Sequence, residues 1–145
     1  MEHQISKTDR RIGVIVNYLC VAAIGFLIHA GDVMAWSVVV RLVGVLAALG
    51  VGLITFIRVY WRTGLWKLAH ASYQKLDERQ VQLMYDSLSH SYAVFTIVCL
   101  VIVYLNAVIE RGPVPIVIAG SILYLAHTLP AAVVAWTEKE VLITG

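Results

Sequence analysis

Four stretches of this 145-residue chain carry no charged side chain over lengths set by the thickness of a bilayer. Arg11 and Asp32 enclose 20 such residues, Arg41 and Arg58 enclose 16, Asp86 and Glu110 enclose 23, and Arg111 and Glu138 enclose 26. A hydrocarbon layer about 30 Å thick takes roughly 20 residues of helix at about 1.5 Å each. Three of the stretches span unaided. The second spans only if its helix begins near Ala35, which puts Arg41 inside or at the edge of the bilayer. With 60% of its residues hydrophobic and 14% charged, a soluble chain of this length could not bury four such runs. The reading is all-α: an integral membrane protein, a four-transmembrane-helix bundle forming one membrane domain over 1–145. Its spans are expected at about 12–29, 35–61, 92–109 and 115–136. A loop over about 62–91 holds a short interfacial helix between helices two and three. The basic flank before the first run is reminiscent of a signal peptide, but the run is of full spanning length and lacks a small-residue cleavage site. It reads as a retained helix.

Orientation follows from the basic residues that flank the spans. One side collects Lys7, Arg10, Arg11, Arg58, Arg62, Lys67, Lys75, Arg79 and Lys139, nine in all; the other has Arg111 and, if it snorkels outward, Arg41. The nine place both termini in the cytoplasm, with the chain in a cell membrane of the bacterial cytoplasmic type. So uneven a count speaks against a dual-topology dimer.

Within the spans, Gly44, Ala48 and Gly52 recur every four residues and share one helix face. Small residues at that spacing let a second helix approach closely, either inside the chain or in an oligomer. Gly31-Asp32 and Glu110-Arg111-Gly112-Pro113 make the outer turns. Pro115 suits the first turn of helix four, and Pro130 within it should release the Ala126 carbonyl and bend the span. In the loop, an interfacial helix over 65–75 would turn Trp66 and Tyr73 toward the headgroups. Leu76-Asp77-Glu78-Arg79-Gln80-Val81 then reads as a helix start, with Asp77 the cap, Gln80 its reciprocal partner and Leu76 a staple on Val81. The first turns are amphipathic: Val81, Met84, Tyr85, Leu88 and Tyr92 fall on one face, either packed within the chain or forming a juxtamembrane partner surface. This Asp-Glu-Arg segment and amphipathic turn resemble a pattern in uncharacterised small bacterial membrane proteins; the resemblance covers Leu76 to Tyr92 and implies no activity.

Few residues suggest chemistry. Cys20 and Cys99 lie within spans and fit as small apolar fillers. His29, His90 and His127 sit at different depths, so no two form an axial pair, and His90 is explained by an ion pair with Asp86. His3 and His70 lie outside the spans. No cofactor or metal is expected, and no nucleic-acid motif is present. Two intramembrane groups remain. Arg41 lies near the depth of Asn106, within reach of Asp32 and Glu110. His127 shares a face with Tyr124 next to Thr128, at the depth of Asn17, Thr55 and Thr96. Such a cluster is either interhelical hydrogen bonding or a proton- or ligand-linked site. The expected function is a non-enzymatic accessory subunit that binds other membrane proteins, or itself, through its spans and juxtamembrane helix. The alternative is a small homo-oligomeric channel or transporter with Arg41 and His127 on its path. No nucleophile–base pair, metal set or phosphate loop points to an enzyme.

Overall fold

Ser6 starts the first helix: its hydroxyl accepts the backbone N–H of Asp9 at 3.1 Å, and helix α1 runs Lys7–Val33. In the computed structural model, which describes residues 5–72, 74, 76–109 and 115–138, four long apolar helices are able to span a membrane. The others are α2 (Val38–Phe56, prolonged by a π-helical turn Ile57–Trp61), α4 (Glu78–Ile109) and α5 (Ile116–Thr137). A short helix, α3 (Leu65–Ala69), lies between the second and third. The expected all-α four-helix membrane architecture is therefore what the chain adopts. Expectations on His3, Tyr73, Lys75, Lys139 and the turn from Glu110 to Pro113 fall outside the described residues.

Helix ends differ from the sequence-based bounds for local reasons. Helix α1 begins five residues before Ile12 because Ser6 supplies a cap. It also continues past Gly31-Asp32, so the turn falls at Met34–Ser37. Ala35 adopts φ 51°, a left-handed conformation that cannot be part of a right-handed helix, so α2 begins after the Ser37 cap and not at Ala35. Pro115 is the extended cap of α5 rather than its first helical residue, and its carbonyl accepts from Ile118 and Ala119. The helix continues through Pro130. The interfacial helix stops at Ala69, well short of residue 75.

The start of α4 is as read from the sequence. Asp77 Oδ1 accepts the Gln80 N–H at 2.7 Å, and Gln80 Oε1 accepts the Asp77 N–H at 3.3 Å. Leu76 and Val81 line one shallow crevice beside this box. Loss of such a cap typically costs about 0.5–2 kcal/mol. Asp77→Ala is thus expected to speed hydrogen exchange at Glu78 to Val81 while the bundle stays folded; unchanged protection there would deny the cap its role.

The helices are arranged as a row. Helix α1 packs on α2 and on α5, α5 packs on α4, and no comparable contact among the described residues joins α2 to α4. Helix α3 folds back from the π turn onto α5 and α4. Nearly all burial is at one end, the basic end that carries Lys7, Arg10, Arg11, Arg58 and Arg62. There Val14, Val59, Tyr60, Leu65, Leu68, Ala131, Ala132, Val134 and Ala135 form a core, with Phe56, Trp66, Leu83 and Met84 packed around it. By contrast α2 has no buried residue between Val38 and Phe56. The apolar lengths are left for lipid, while the basic end is packed like a small globular core. Close approach sets this packing. Gly13 lies directly against the Val59 side chain, and Gly44 and Gly52 face α1, where an added Cβ would lie 3.2 Å from Leu27 Cδ1 and 3.4 Å from Cys20 Cβ. The stripe that includes Ala48 therefore serves the α1–α2 contact within the chain.

Candidate functional site

Asn17, 1% exposed near the middle of α1, organises a polar network that ties three helices together. Its Nδ2 donates to the Gly52 carbonyl at 2.9 Å and to Thr55 Oγ1 at 3.2 Å, both on α2, and its Oδ1 accepts the Tyr124 hydroxyl of α5 at 2.6 Å. The amide has this orientation because the Gly52 carbonyl can only accept. A second strand of the network runs beside it. The Thr128 hydroxyl donates to the Tyr124 carbonyl at 2.9 Å, which leaves the Tyr18 hydroxyl to donate to Thr128 Oγ1 at 3.2 Å. The Tyr60 hydroxyl lies on a fully buried side chain with Tyr18 and Tyr124 among its neighbours. The network thus brings together Asn17, Tyr124, Thr128 and Thr55 as read from the sequence. It adds Tyr18 and Tyr60, whose aromatic rings gave no polar signal in an apolar run.

Two residues expected beside it lie elsewhere. Thr96 bonds the Tyr92 carbonyl of its own helix at 2.8 Å. His127 is exposed, on the outer surface of α5: its Nδ1 lies 3.1 Å from the Leu123 carbonyl, and its ring stacks on that of His70 at 6.5 Å between centroids. His70 in turn lies 4.1 Å from Trp66, which packs edge-on against Phe56. Neighbours in sequence, Thr128 and His127 differ by about 100° around the helix, and only the first faces the network.

At the far end, Arg41 forms an ion pair with Asp32 across the α1–α2 turn, its stem lying over Gly31. Asn106 is buried on α4. Arg41 and His127 are thus at opposite ends of the molecule. His90 bonds the Asp86 backbone carbonyl at 2.7 Å, and the Asp86 carboxylate accepts from Gln82 instead of pairing with the imidazole. Cys20 and Cys99 are free thiols on α1 and α4, which are not packed on each other. Among the described residues, no group of three His, Cys, Asp or Glu side chains could hold a metal ion.

At the basic end, three cations of α1 close the C-terminus of α5. Lys7 Nζ donates to the Thr137 carbonyl at 2.8 Å, Arg10 to that of Glu138 at 2.8 Å, and Arg11 to that of Trp136 at 3.0 and 3.1 Å while lying over the Trp136 ring. Arg79 of α4 adds an ion pair to Glu138 at 3.7 Å. The last carbonyls of a helix lack internal partners and carry its negative dipole end, which cations satisfy. The sequence held a signal of this. Cations in the first turn of a helix oppose its own dipole, so Lys7, Arg10 and Arg11 needed a use elsewhere.

The juxtamembrane surface divides into two. Met84, Ser87 and Ser91 turn toward the chain itself, the serines bonding backbone carbonyls of α4. Val81 is half-buried. Tyr85, Leu88 and Tyr92 form an outward row, 70%, 58% and 72% exposed. Counting about 1.5 Å per residue from the Arg79–Glu138 contact places Ser91 roughly 18 Å along, level with the end of the α5 core. Compared with protein families, with curated proteins and with solved structures, the chain matches none.

Proposed function

We propose that this chain is a non-enzymatic interaction subunit of a bacterial cytoplasmic membrane, binding another membrane protein along the exposed row of α4. The observation that carries the reading is that row: Tyr85, Leu88 and Tyr92 stand outward on a helix whose opposite face is already committed to the fold. Aromatic residues held on a rigid, pre-packed element lose little freedom on binding and are the usual anchors of an interface. Next to this, the polar network is an interhelical tie in which Asn17, Thr55 and Tyr124, and Tyr18 and Thr128, bond to one another. The fold offers no specific observation in favour of the channel alternative.

A photo-crosslinking side chain at Leu88 of the chain in its native membrane tests this. A discrete adduct with a second membrane protein, abolished by Tyr85→Asp, is expected. A crosslink to lipid alone would overturn the reading, and an adduct of two copies of the chain would make the partner a second copy.

We further propose that the basic end faces the cytoplasm, on the nine-to-two distribution of Lys and Arg. A cysteine placed at Met34, which is exposed at the far end, should react with an impermeant thiol reagent applied from outside, and one at Ser72 should not. The reverse pattern, or equal labelling, would contradict a single orientation.

A further inference from the structure

We infer that the π turn and α3 together hold the headgroup of an anionic phospholipid in the leaflet at the basic end. The argument begins with charge. Between Asp32 and Asp77 lie 44 residues without one acidic side chain, and Arg58, Arg62 and Lys67 all fall among them. Among the described residues no acidic side chain reaches them: Arg41 pairs with Asp32 and Arg79 with Glu138. Lys7, Arg10 and Arg11 of the same end are spent on the α5 carbonyls. Arg58, Arg62 and Lys67 are exposed, and their side chains bond to no other group among the described residues.

The backbone turns Arg58 and Arg62 outward together. The Arg62 N–H donates to the Ile57 carbonyl at 2.9 Å, a bond spanning five residues rather than four. That extra residue shifts the helical phase so that Val59 and Tyr60, consecutive in sequence, both turn into the core. Arg58, Trp61 and Arg62 are left outward. Single π turns of this kind are frequent at functional sites. Gly64, at φ 72°, then reverses the chain; Leu65 and Leu68 are buried, and Lys67 stays outside.

The surroundings indicate a lipid as the source of the anion. Immediately before the cations, Leu53, Ile54 and Ile57 of the same surface are 60%, 66% and 42% exposed, a face suited to acyl chains. Trp61, 65% exposed between the two arginines, is the residue type that sits at the headgroup level. Guanidinium groups present a planar fork that matches phosphate oxygens, and basic residues next to a bilayer bind anionic lipid additively. Apolar face, aromatic belt residue and unpaired cations therefore follow one another in the order of tail, interface and headgroup.

The test uses the full chain reconstituted in phosphatidylcholine membranes and spin-labelled lipids of either headgroup. Phosphatidylglycerol should be immobilised in preference to phosphatidylcholine, and each cation removed should weaken that preference roughly fivefold. Arg58→Gln/Arg62→Gln/Lys67→Gln should abolish it, Arg58→Lys/Arg62→Lys should keep most of it, and Arg41→Gln at the far end should leave it unchanged. Circular dichroism confirms that each variant is folded; if the triple variant is not, the single glutamine variants carry the comparison. No headgroup preference in the wild type, or one that survives in all glutamine variants, would overturn the proposal. So would displacement of the lipid by millimolar inorganic phosphate, which would mark a site for a soluble anion.

Discussion

Replacing Asn17 with leucine is expected to destabilise the folded chain by about 2–4 kcal/mol, measured by reversible unfolding in mixed micelles. The substitution keeps the volume and removes three hydrogen bonds, to Gly52, Thr55 and Tyr124. Individual interhelical bonds in a membrane are modest, about 0.6 kcal/mol on average and rarely above 1.7 kcal/mol. Most of the cost arises because the Tyr124 hydroxyl loses its acceptor inside the bundle, where an unsatisfied polar group costs about 1–3 kcal/mol. Tyr124→Phe removes a single bond and leaves Asn17 its two contacts on α2, so it should cost less than half as much. The double variant Asn17→Leu/Tyr124→Phe should then be more stable than the sum of the two changes implies, because the stranded hydroxyl is gone. Strict additivity would show that the two residues are not coupled through this bond.

Gly13→Ala should have an effect of similar size by the opposite mechanism, overpacking. The new methyl would strike the γ-methyl of Val59, which is 2% exposed and cannot withdraw. A β-branched side chain on a helix has one strongly preferred rotamer, so Val59 cannot rotate away cheaply. Overpacking of this kind costs about 1–3 kcal/mol. Since Val59 lies in the core at the basic end, α3 should loosen with it, seen as faster exchange at Leu65 to Ala69. Val59→Ala in the same chain should recover part of the loss. Gly25→Ala, at a position with open space around it, is the matched control and should be neutral or slightly stabilising. If the two glycines respond alike, helix propensity rather than packing governs the site.

These two positions show where sequence reading stops. Asn17 could be singled out because a polar side chain deep in an apolar run needs partners in lipid, and Thr55, Tyr124 and Thr128 were suitable in depth. Gly13 could not be. A glycine in a membrane helix is common, and only the approach of Val59, 46 residues further along, gives it a role. His127 carried the same signal as Asn17 but is outside the bundle. In a span that is apolar on every side, no polar face shows which way the helix is turned.

What the sequence by itself determined was local or set by the solvent. The number of spans follows from the lengths of uncharged runs, because the bilayer has one thickness and every backbone group within it must be bonded inside its own helix. The start of α4 follows from a capping box closed between residues three apart. The tertiary structure decided whatever depends on contact between distant segments. It set the row of helices, the concentration of burial at one end, the use of Lys7, Arg10 and Arg11 on α5, and the outward placement of Arg58, Arg62 and Lys67 without an acidic partner among the described residues. The physical reason is that lipid rewards each helix for being apolar but is indifferent to which side faces its neighbour. That choice falls to close packing and a few hydrogen bonds, and both become visible only when the helices are assembled.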